Sequence, residues 1–551
     1  MLVGRRVRAR SAVFVAVAAL VAGVAGCAGG DGVGGDGAGD SGDTLVLGTA
    51  ADPVTLDGTF VTDGESMRPI RQIFDTLVTH EPGGARVVPS LAERWENSRG
   101  GKTWTFHLED DVTFTDGTTL DAEAVCANFD RWFGFRDAVT QTSASYFQTV
   151  FGAFADKKAD GIYGSCAADD ATTVTLNLTR PSASLLAALT LPAFAIASPT
   201  ALEKYQADKV GGSPDQPRFE GTFGNKYPIG SGPFKLASWS RGDKLVLVRN
   251  DDYWGRKPRL AKVVLKPIAD NAARRQALET GAIDGYEDVP PSDVSALRDK
   301  DFQMLERPAF TVAYIGFNQK KKPLDNLKIR QAIAYAIDRK ALIRAKYGSS
   351  AVVADQFLPK DLFGYAPKVQ RYAHDPAKAK QLIKESGVRD PTLEFWYPTN
   401  VNRSYMPDPQ ANFQAFTRDL EAVGFTVVPK TAPWDSGYLT ARSGGRAPMS
   451  LSGWIADFPD PDNFLGSFFL ASDPGAMNPG ADVRKALVEA RSETDQAKRT
   501  GMYQEINRTI MERLPGIPYA STGSVIALDP KVKGYKAGPV GGDSYVDLSV
   551  G

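Results

Sequence analysis

The stretch Gly453–Phe464 reads GWIADFPDPDNF and combines residue types that rarely share one environment. Bulky apolar side chains are interleaved with three aspartates and two prolines. Prolines at 459 and 461 exclude a regular helix or a central strand directly after Asp457. Two structures suit the mixture. One is a turn whose aspartates cap backbone N–H groups, and the other is the lip of an apolar pocket where one desolvated carboxylate faces a ligand cation.

Composition narrows the classes of protein to which the chain can belong. Its 551 residues are 42% hydrophobic and 23% charged, which is enough for two or more hydrophobic cores. The formal net charge is −1, so no basic excess exists to neutralise phosphates, and we expect no nucleic-acid partner. The sequence has three histidines and neither a G-x-S-x-G nor an H-E-x-x-H motif. We therefore expect no metal, no cofactor and no enzymatic activity.

Residues 1–26 have the pattern of an export signal. Four arginines precede an apolar run, Ala12–Ala25. That run would be roughly 21 Å long as a helix, too short for a hydrocarbon core of about 30 Å. It ends in Val24-Ala25-Gly26-Cys27, which resembles the lipobox of bacterial lipoproteins and predicts cleavage before a lipidated Cys27; an ordinary signal peptide is the alternative. Residues 27–43 are rich in Gly and Asp and predict a flexible tether.

Two cysteines, Cys126 and Cys166, remain after such cleavage. Outside the cytoplasm a pair of cysteines is more often bridged than free. We predict a Cys126–Cys166 disulfide, with two unrelated buried thiols as the alternative.

Apolar periodicity predicts helices alternating with short strands, which is an α/β pattern. Thr44–Thr49 has the pattern of a strand. Asp121 is expected to cap a helix over Ala122–Trp132. Residues 327–346 have the pattern of one amphipathic helix.

Seven segments along the chain, including Gly453–Phe464, have distinctive sequences. They lie at residues 89–117, 227–236, 250–255, 314–318, 327–339, 375–380 and 453–464. In this order they resemble the signature segments of family 5 extracellular solute-binding proteins, which are the dipeptide-, oligopeptide- and nickel-binding components of ABC importers. The resemblance covers residues 44–551.

The resemblance implies an α/β, two-lobed periplasmic-binding-protein-like fold of type II, similar to cluster C, with a subdomain inserted in the first lobe. Val312–Asn318 and a segment near 520–526 would be the hinge crossings. The implied domains are residues 44–88, 210–306 and 523–551 for lobe I, 89–209 for the inserted subdomain, and 307–522 for lobe II.

The resemblance also assigns roles within Gly453–Phe464. In peptide-binding relatives the Asp at the position of Asp457 pairs with the ligand α-amine, and the Trp at the position of Trp454 helps to wall the pocket. A desolvated carboxylate is a suitable partner for an ammonium group. We expect Asp460 and Asp462 to be turn and capping residues instead.

Other candidate ligand contacts come from the same resemblance. Arg403 and Tyr405 lie in an R-x-Y-x-P segment, whose Arg pairs with the ligand carboxylate in a dipeptide-binding relative; a structural role is the alternative. Asp63 lies in a loop that faces the cleft in relatives. Trp434 and Tyr438 either line the far side of the cleft or pack in the core.

These observations predict a monomeric, lipid-anchored binding protein on the extracytoplasmic face of the cell membrane. It would capture short peptides and present them to an ABC permease. A metal–chelator, opine or sugar-like ligand is one alternative. A peptide-sensing lipoprotein and a lipid-anchored hydrolase are two others.

Overall fold

The computed structural model describes residues 43–349, 351–470, 477–541 and 543–551. The predicted signal peptide, the lipidation site Cys27 and all but the last residue of the predicted tether lie outside these ranges. Within them, no helix has the length and apolarity needed to cross a membrane.

Short strands occur along the whole described chain. In chain order they are β1 Thr44–Thr49, β2 Val78–His80, β3 Val87–Pro89, β4 Ala92–Ser98, β5 Thr103–Leu108, β6 Tyr163–Ala168, β7 Thr173–Leu178, β8 Val210–Ser213, β9 Gln216–Phe219, β10 Phe234–Ser240, β11 Lys244–Arg249, β12 Lys262–Pro267, β13 Gly285–Tyr286, β14 Gln303–Glu306, β15 Thr311–Phe317, β16 Thr392–Thr399, β17 Thr426–Pro433, β18 Met449–Ile455, β19 Gly516–Ala520, β20 Val525–Leu528, β21 Val532–Lys533 and β22 Ser549–Val550.

Helices separate many of these strands. They are α1 Gly64–Ile73, α2 Ala122–Gly134, α3 Ala138–Ser143, α4 Ser145–Phe151, α5 Leu185–Ala188, α6 Pro199–Lys204, α7 Phe223–Lys226, α8 Asn271–Glu279, α9 Pro291–Arg298, α10 Leu327–Ala336, α11 Arg339–Lys346, α12 Pro376–Ser386, α13 Pro409–Glu421, α14 Leu439–Ser443, α15 Ser467–Phe469, α16 Ala481–Ser492 and α17 Gln496–Arg513.

The first lobe is built on a seven-stranded sheet in the order β10-β11-β12-β1-β13-β20-β14. Strand β1 is parallel to β12 and β13, whereas β20 is antiparallel to β13 and β14. Strands β1, β12, β13 and β14 therefore run in one direction, and their carboxyl ends share one edge of the sheet. In open α/β sheets this edge is where ligands bind.

The second lobe is built on a five-stranded sheet in the order β17-β16-β18-β15-β19. Strand β16 is parallel to β17 and β18, and β15 is antiparallel to β18 and β19. The carboxyl ends of β16, β17, β18 and β19 consequently meet at a common edge. The amino end of β15 lies at the same edge, because Thr311 is the register partner of Ile455.

A four-stranded antiparallel sheet, β4-β5-β7-β6, forms the inserted subdomain together with α2 and α4. The predicted disulfide is confirmed: Cys126 in α2 is bonded to Cys166 in β6, and their Cα atoms are 5.3 Å apart. Asp121 caps α2 as predicted, since its Oδ1 accepts the N–H of Ala124 at 2.9 Å.

The α/β two-lobed architecture is as predicted. Each of the three sheets takes its strands from the residues assigned to one predicted domain. The exact residue boundaries stay a prediction.

The chain passes between the two large sheets twice, at residues 307–310 and 521–524. These segments are hydrogen-bonded to each other: Arg307 N–H donates to the carbonyl of Ser524 at 2.9 Å, and Phe310 N–H donates to that of Thr522 at 3.2 Å. The first crossing precedes the predicted Val312–Asn318, most of which lies inside β15.

The single helix predicted for residues 327–346 is wrong, because two helices, α10 and α11, occupy the range. Ile337 is extended, and Asp338 caps α11 by accepting the N–H of Ala341 at 2.9 Å. An aspartate favours the cap position over a helix interior. The apolar periodicity continued across this break and concealed it.

Candidate functional site

Three of the predicted site residues follow the carboxyl ends of adjacent parallel strands. Arg403 follows β16, Trp434 follows β17, and Asp457 follows β18. Because these ends share an edge of the five-stranded sheet, the topology brings together segments that are far apart in sequence.

Asp457 is held by neutral hydrogen-bond donors. The hydroxyl of Tyr146 donates to its Oδ1 at 2.7 Å, and the side-chain amide of Asn463 donates to its Oδ2 at 3.1 Å. Burial raises the pKa of Asp457, and the hydrogen bonds from Asn463 and Tyr146 oppose this shift. Among the described residues, no cation forms an ion pair with this carboxylate. Asp457 is half-buried, and its charge has no described counter-ion.

Asn463 fixes the shape of the loop around Asp457. Its side-chain oxygen accepts the backbone N–H of Asp457 and the indole N–H of Trp454, both at 3.0 Å. The predicted pocket-wall residue and the predicted anchor are therefore oriented by one amide. The sequence offers no sign that Asn463, rather than one of the aspartates, has this role.

The two neighbouring aspartates are structural. Asp460 forms a bidentate ion pair with Arg499, at 2.6 and 2.7 Å, and also accepts the backbone N–H of Asp462 at 2.8 Å. Asp462 pairs with Arg491 at 2.9 Å. The expected capping is present at Asp460, but the arginine partners, which lie on α16 and α17, were not predicted.

Tyr405 lies directly against the strand that leads to Asp457. Its ring covers Gly453 so closely that any Cβ at position 453 would overlap it. The carbonyl of Tyr405 accepts the hydroxyl of Tyr347 at 3.1 Å, and that hydroxyl accepts the side-chain amide of Asn412 at 2.7 Å. These contacts fix the R-x-Y-x-P segment beside Gly453–Phe464.

Arg403 is exposed and lies over the ring of Trp434, with 5.8 Å between the guanidinium carbon and the ring centroid. This is cation–π geometry. No described carboxylate forms an ion pair with Arg403. Trp434 in turn stacks on Tyr438 at 5.8 Å. Tyr438 is fully buried, and its hydroxyl donates to the carbonyl of Leu451 at 2.6 Å, so in this conformation its ring packs in the core.

Asp63 follows β1 and caps α1, since its Oδ1 accepts the N–H of Ser66 at 2.8 Å. Its charge also contributes to raising the pKa of Tyr146, after burial and Asp457. Asp63 and Asp457 therefore lie within electrostatic range of the same hydroxyl, although they belong to different lobes.

Tyr146 was not predicted as a site residue. It lies in α4 of the inserted subdomain, 311 residues from Asp457 in sequence, and no local pattern marks it. Phe458, from the second lobe, makes a contact in the opposite direction. Its side chain is 4% exposed and packs in the hydrophobic core of the subdomain. Together the two contacts join the Asp457 loop to the subdomain across the cleft.

A group of buried charges, which we call the Glu287 network (Arg68, Glu287, Arg307 and Asp543), lies beside the first crossing. Arg307 pairs with Glu287 at 2.9 Å and with Asp543 at 2.6 Å, and Arg68 also pairs with Glu287. Burial acts to raise the pKa of Glu287, but Arg68 and Arg307 outweigh it and hold the pKa well below the usual value. The network fixes the crossing segment to the first lobe.

A cavity of about 360 Å³ lies between the lobes, close to the Arg403 loop. Asp288 and Pro290 line it from the first lobe, and Tyr347, Asn402 and Ser404 line it from the second. Its volume is within the range of small-molecule sites. Among the described residues no group of three or more His, Cys, Asp or Glu side chains could hold a metal ion.

Comparison with known proteins places this geometry in a family. Residues 86–476 match the model of "Bacterial extracellular solute-binding proteins, family 5 Middle". The chain is 30% identical to the dipeptide-binding protein of Escherichia coli K12 over 496 residues, which is 87% of this chain and 89% of the relative. It is also 29% identical to heme-binding protein A of Haemophilus influenzae, with 92% of each chain covered.

Solved structures have the same architecture. A dipeptide-binding protein of Pseudoalteromonas sp. SM9913, in complex with Met-Leu, superposes with a TM-score of 0.75. The two sequences are 26% identical, and the superposition covers 92% of this chain and 100% of the other.

Proposed function

This chain belongs to the family 5 bacterial extracellular solute-binding proteins, and we propose that it captures short peptides between its lobes for uptake by an ABC transporter. Two of the relatives named above are described as dipeptide-binding, one of them with Met-Leu bound. We propose that it acts by binding and release and not by chemistry.

The observation that carries the proposal is the uncompensated carboxylate of Asp457. Its described partners are the neutral side chains of Tyr146 and Asn463, and burial raises its pKa. An ammonium group placed beside it would supply the missing charge and form a charge-assisted hydrogen bond. A peptide α-amine is such a group.

The opposite end of the ligand has a candidate partner in Arg403. Its guanidinium is exposed on the Trp434 ring and has no described carboxylate partner. A guanidinium binds a carboxylate with two parallel hydrogen bonds. We propose that Asp457 and Arg403 hold the two charges of a short peptide, with Trp454 and Tyr405 forming the wall. Asp63 approaches the amine end, and Trp434 supports Arg403.

The interlobe contacts support capture by closure. Tyr146 and Phe458 join the Asp457 loop to the subdomain, so the amine site is complete only when the lobes are together. A ligand that binds the closed form more tightly than the open form shifts the population toward it. We propose that a permease recognises this closed form.

Family members are extracytoplasmic. We propose that this chain acts there as a monomer, anchored to the membrane by lipid on Cys27, with the segment up to residue 43 as a tether. Lipidation is tested by mass spectrometry of protein isolated from its own host. A Cys27→Ser variant should lose the added mass and leave the membrane fraction.

The amine role is tested by calorimetry with a dipeptide and its N-acetylated form. We expect the unmodified protein to bind the free dipeptide more tightly, by about 2–4 kcal/mol, because acetylation removes the charge that pairs with Asp457. Asp457→Asn should abolish this difference.

Asp288→Asn is the matched control, since Asp288 lines the interlobe cavity and burial raises its pKa, as it does for Asp457. This control should keep the preference for the free amine. Equal loss in both variants would mean that the cleft attracts cations without a specific amine site.

A further inference from the structure

A second cavity lies outside the peptide site. Its volume is about 400 Å³, and every described lining residue comes from residues 70–90, 192–195, 233–256 or 534–547. None of these segments belongs to the five-stranded sheet or to the predicted lobe II. The lining therefore comes from the first lobe and the inserted subdomain, although Val540 also packs against the core of the second lobe.

Arg71, in the last turn of α1, lines this cavity with a guanidinium whose hydrogen-bonding groups are not all satisfied. Its Nη1 donates to the carbonyl of Thr190 at 3.2 Å, while its Nε is buried without a hydrogen-bond partner. No carboxylate of the described residues forms an ion pair with it. Burial outweighs the opposing charge of Asp543 and lowers the pKa of Arg71 to about 10, so the cation is only partly compensated.

The carboxylates around the cavity have other ion-pair or hydrogen-bond partners: Asp543 pairs with Arg307, and Glu81 pairs with Arg86. The carboxylate of Asp75 already accepts hydrogen bonds from Ser231, Tyr253 and Trp254, at 2.9 to 3.2 Å. Nearer the surface, Asp547 pairs with both Lys536 and Arg256. Arg71 therefore remains without a direct ion pair among the described residues.

His80 is neutral in this arrangement. The hydroxyl of Thr190 donates to the carbonyl of Ala187 at 2.6 Å, so it accepts from the His80 ring nitrogen at 3.0 Å. That assigns the proton to Nε2 and leaves Nδ1 as an acceptor. Burial and, to a smaller extent, the charge of Arg71 lower the pKa of His80 to about 3, which keeps the ring uncharged.

We propose that this cavity binds a small organic anion, with its carboxylate on Arg71 and its apolar part against Ile70, Phe74, Pro192 and Trp254. A bound ion is one physical explanation of a buried polar group without a partner. A guanidinium pairs with a carboxylate in a fixed planar geometry. The volume and the apolar walls fit a ligand of small-molecule size.

The test uses two probes that differ in charge and hardly in size, butyrate and butyramide, titrated into the purified protein at low salt. We expect butyrate to bind at least about tenfold more tightly, because only its carboxylate forms a charge-assisted pair. Arg71→Gln should remove that preference. Arg86→Gln, an exposed arginine near the same cavity that pairs with Glu81, should keep it. Equal binding of the two probes, or an unchanged preference in Arg71→Gln, overturns the proposal.

Two further measurements keep the proposal testable if Arg71→Gln does not fold. Ala195→Leu narrows the cavity without touching Arg71 and should weaken butyrate binding. Crystals of the unmodified protein soaked in 3-bromopropionate should show bromine in the cavity, and its absence there contradicts the proposal. Asp457→Asn should leave butyrate binding unchanged, so failure of the peptide proposal and failure of this one are separate results.

Discussion

Asp457 and Glu287 are two carboxylates at the carboxyl edges of the two large sheets, and their surroundings are opposite. Glu287 is paired with Arg68 and Arg307, which hold its pKa below the usual value. Asp457 has only neutral donors, and burial raises its pKa. A compensated charge stabilises the fold, whereas an uncompensated charge at an accessible edge is available to a ligand. The difference separates a structural site from a binding site.

Of the variants considered, Glu287→Gln should have the largest effect on stability, because it removes a carboxylate that is paired with two arginines. Glu287→Gln removes the carboxylate that Arg68 and Arg307 share and leaves them only Glu65 and Asp543, and we expect it to lower the free energy of unfolding by about 3 kcal/mol. Chemical denaturation measures the loss. Glu81→Gln, which removes the partner of exposed Arg86, should change stability little. A Glu287→Gln variant as stable as the unmodified protein would remove the structural role of the Glu287 network.

The free energy of unfolding, measured as a function of pH, should change in opposite directions for the two carboxylates. The folded-state pKa of Glu287 is depressed, so its contribution to stability is present above its ordinary pKa of 4.5 and is lost as pH falls through the folded-state pKa. The folded-state pKa of Asp457 is raised, so its contribution to the free energy of unfolding falls as pH rises through the window above 3.8.

The raised pKa of Asp457 also governs binding. Below it, the protonated carboxyl cannot pair with an ammonium, and we expect peptide affinity to fall by about tenfold per pH unit. Calorimetry between pH 4 and 7 measures this. This loss of affinity at low pH, the acid limb of the profile, should be absent from Asp457→Asn. An acid limb that persists in that variant would come from the titration of another group.

Tyr146→Phe sharpens the comparison further by removing one of the donors to Asp457. We expect the pKa of Asp457 to rise further, and the acid limb of peptide binding to move to higher pH by about one unit. Tyr163→Phe, which removes a hydroxyl from the same subdomain but away from Asp457, is the control. An unmoved limb in Tyr146→Phe would show that the 2.7 Å hydrogen bond does not stabilise the charge.

The smallest expected effect is on the stability of Asp457→Asn itself. Because the charge has no cation to lose, we expect the free energy of unfolding to change by less than about 1 kcal/mol in the absence of ligand. A loss of stability comparable to that of Glu287→Gln would show that Asp457 stabilises the fold, as Glu287 does.

The candidate site could be predicted from sequence where its signals are local. The prolines after Asp457 placed that residue in a loop, and the resemblance singled it out among three nearby aspartates. The strand order then explains why Arg403, Trp434 and Asp457 lie at one edge, which a linear pattern cannot reveal. Tyr146 and Arg499 were missed because their partners lie 311 and 39 residues away.

The fold class was predicted correctly, but some helix boundaries differ from the prediction. Strand β1 and the cap at Asp121 follow from local chemistry and are present as expected. The break between α10 and α11 was missed, because the capping preference of Asp338 opposes an apolar pattern that continues through it. The Glu287 network has no signature at all, since its members come from four distant segments.

The central claim is that Asp457 holds the amine of a bound peptide. A crystal structure of the complex with a dipeptide tests it most directly. We predict that the α-amino nitrogen lies within hydrogen-bond distance of the Asp457 carboxylate, about 2.7–2.9 Å, with the lobes closed over it. A peptide bound in the cleft with its amine away from Asp457 would contradict the account.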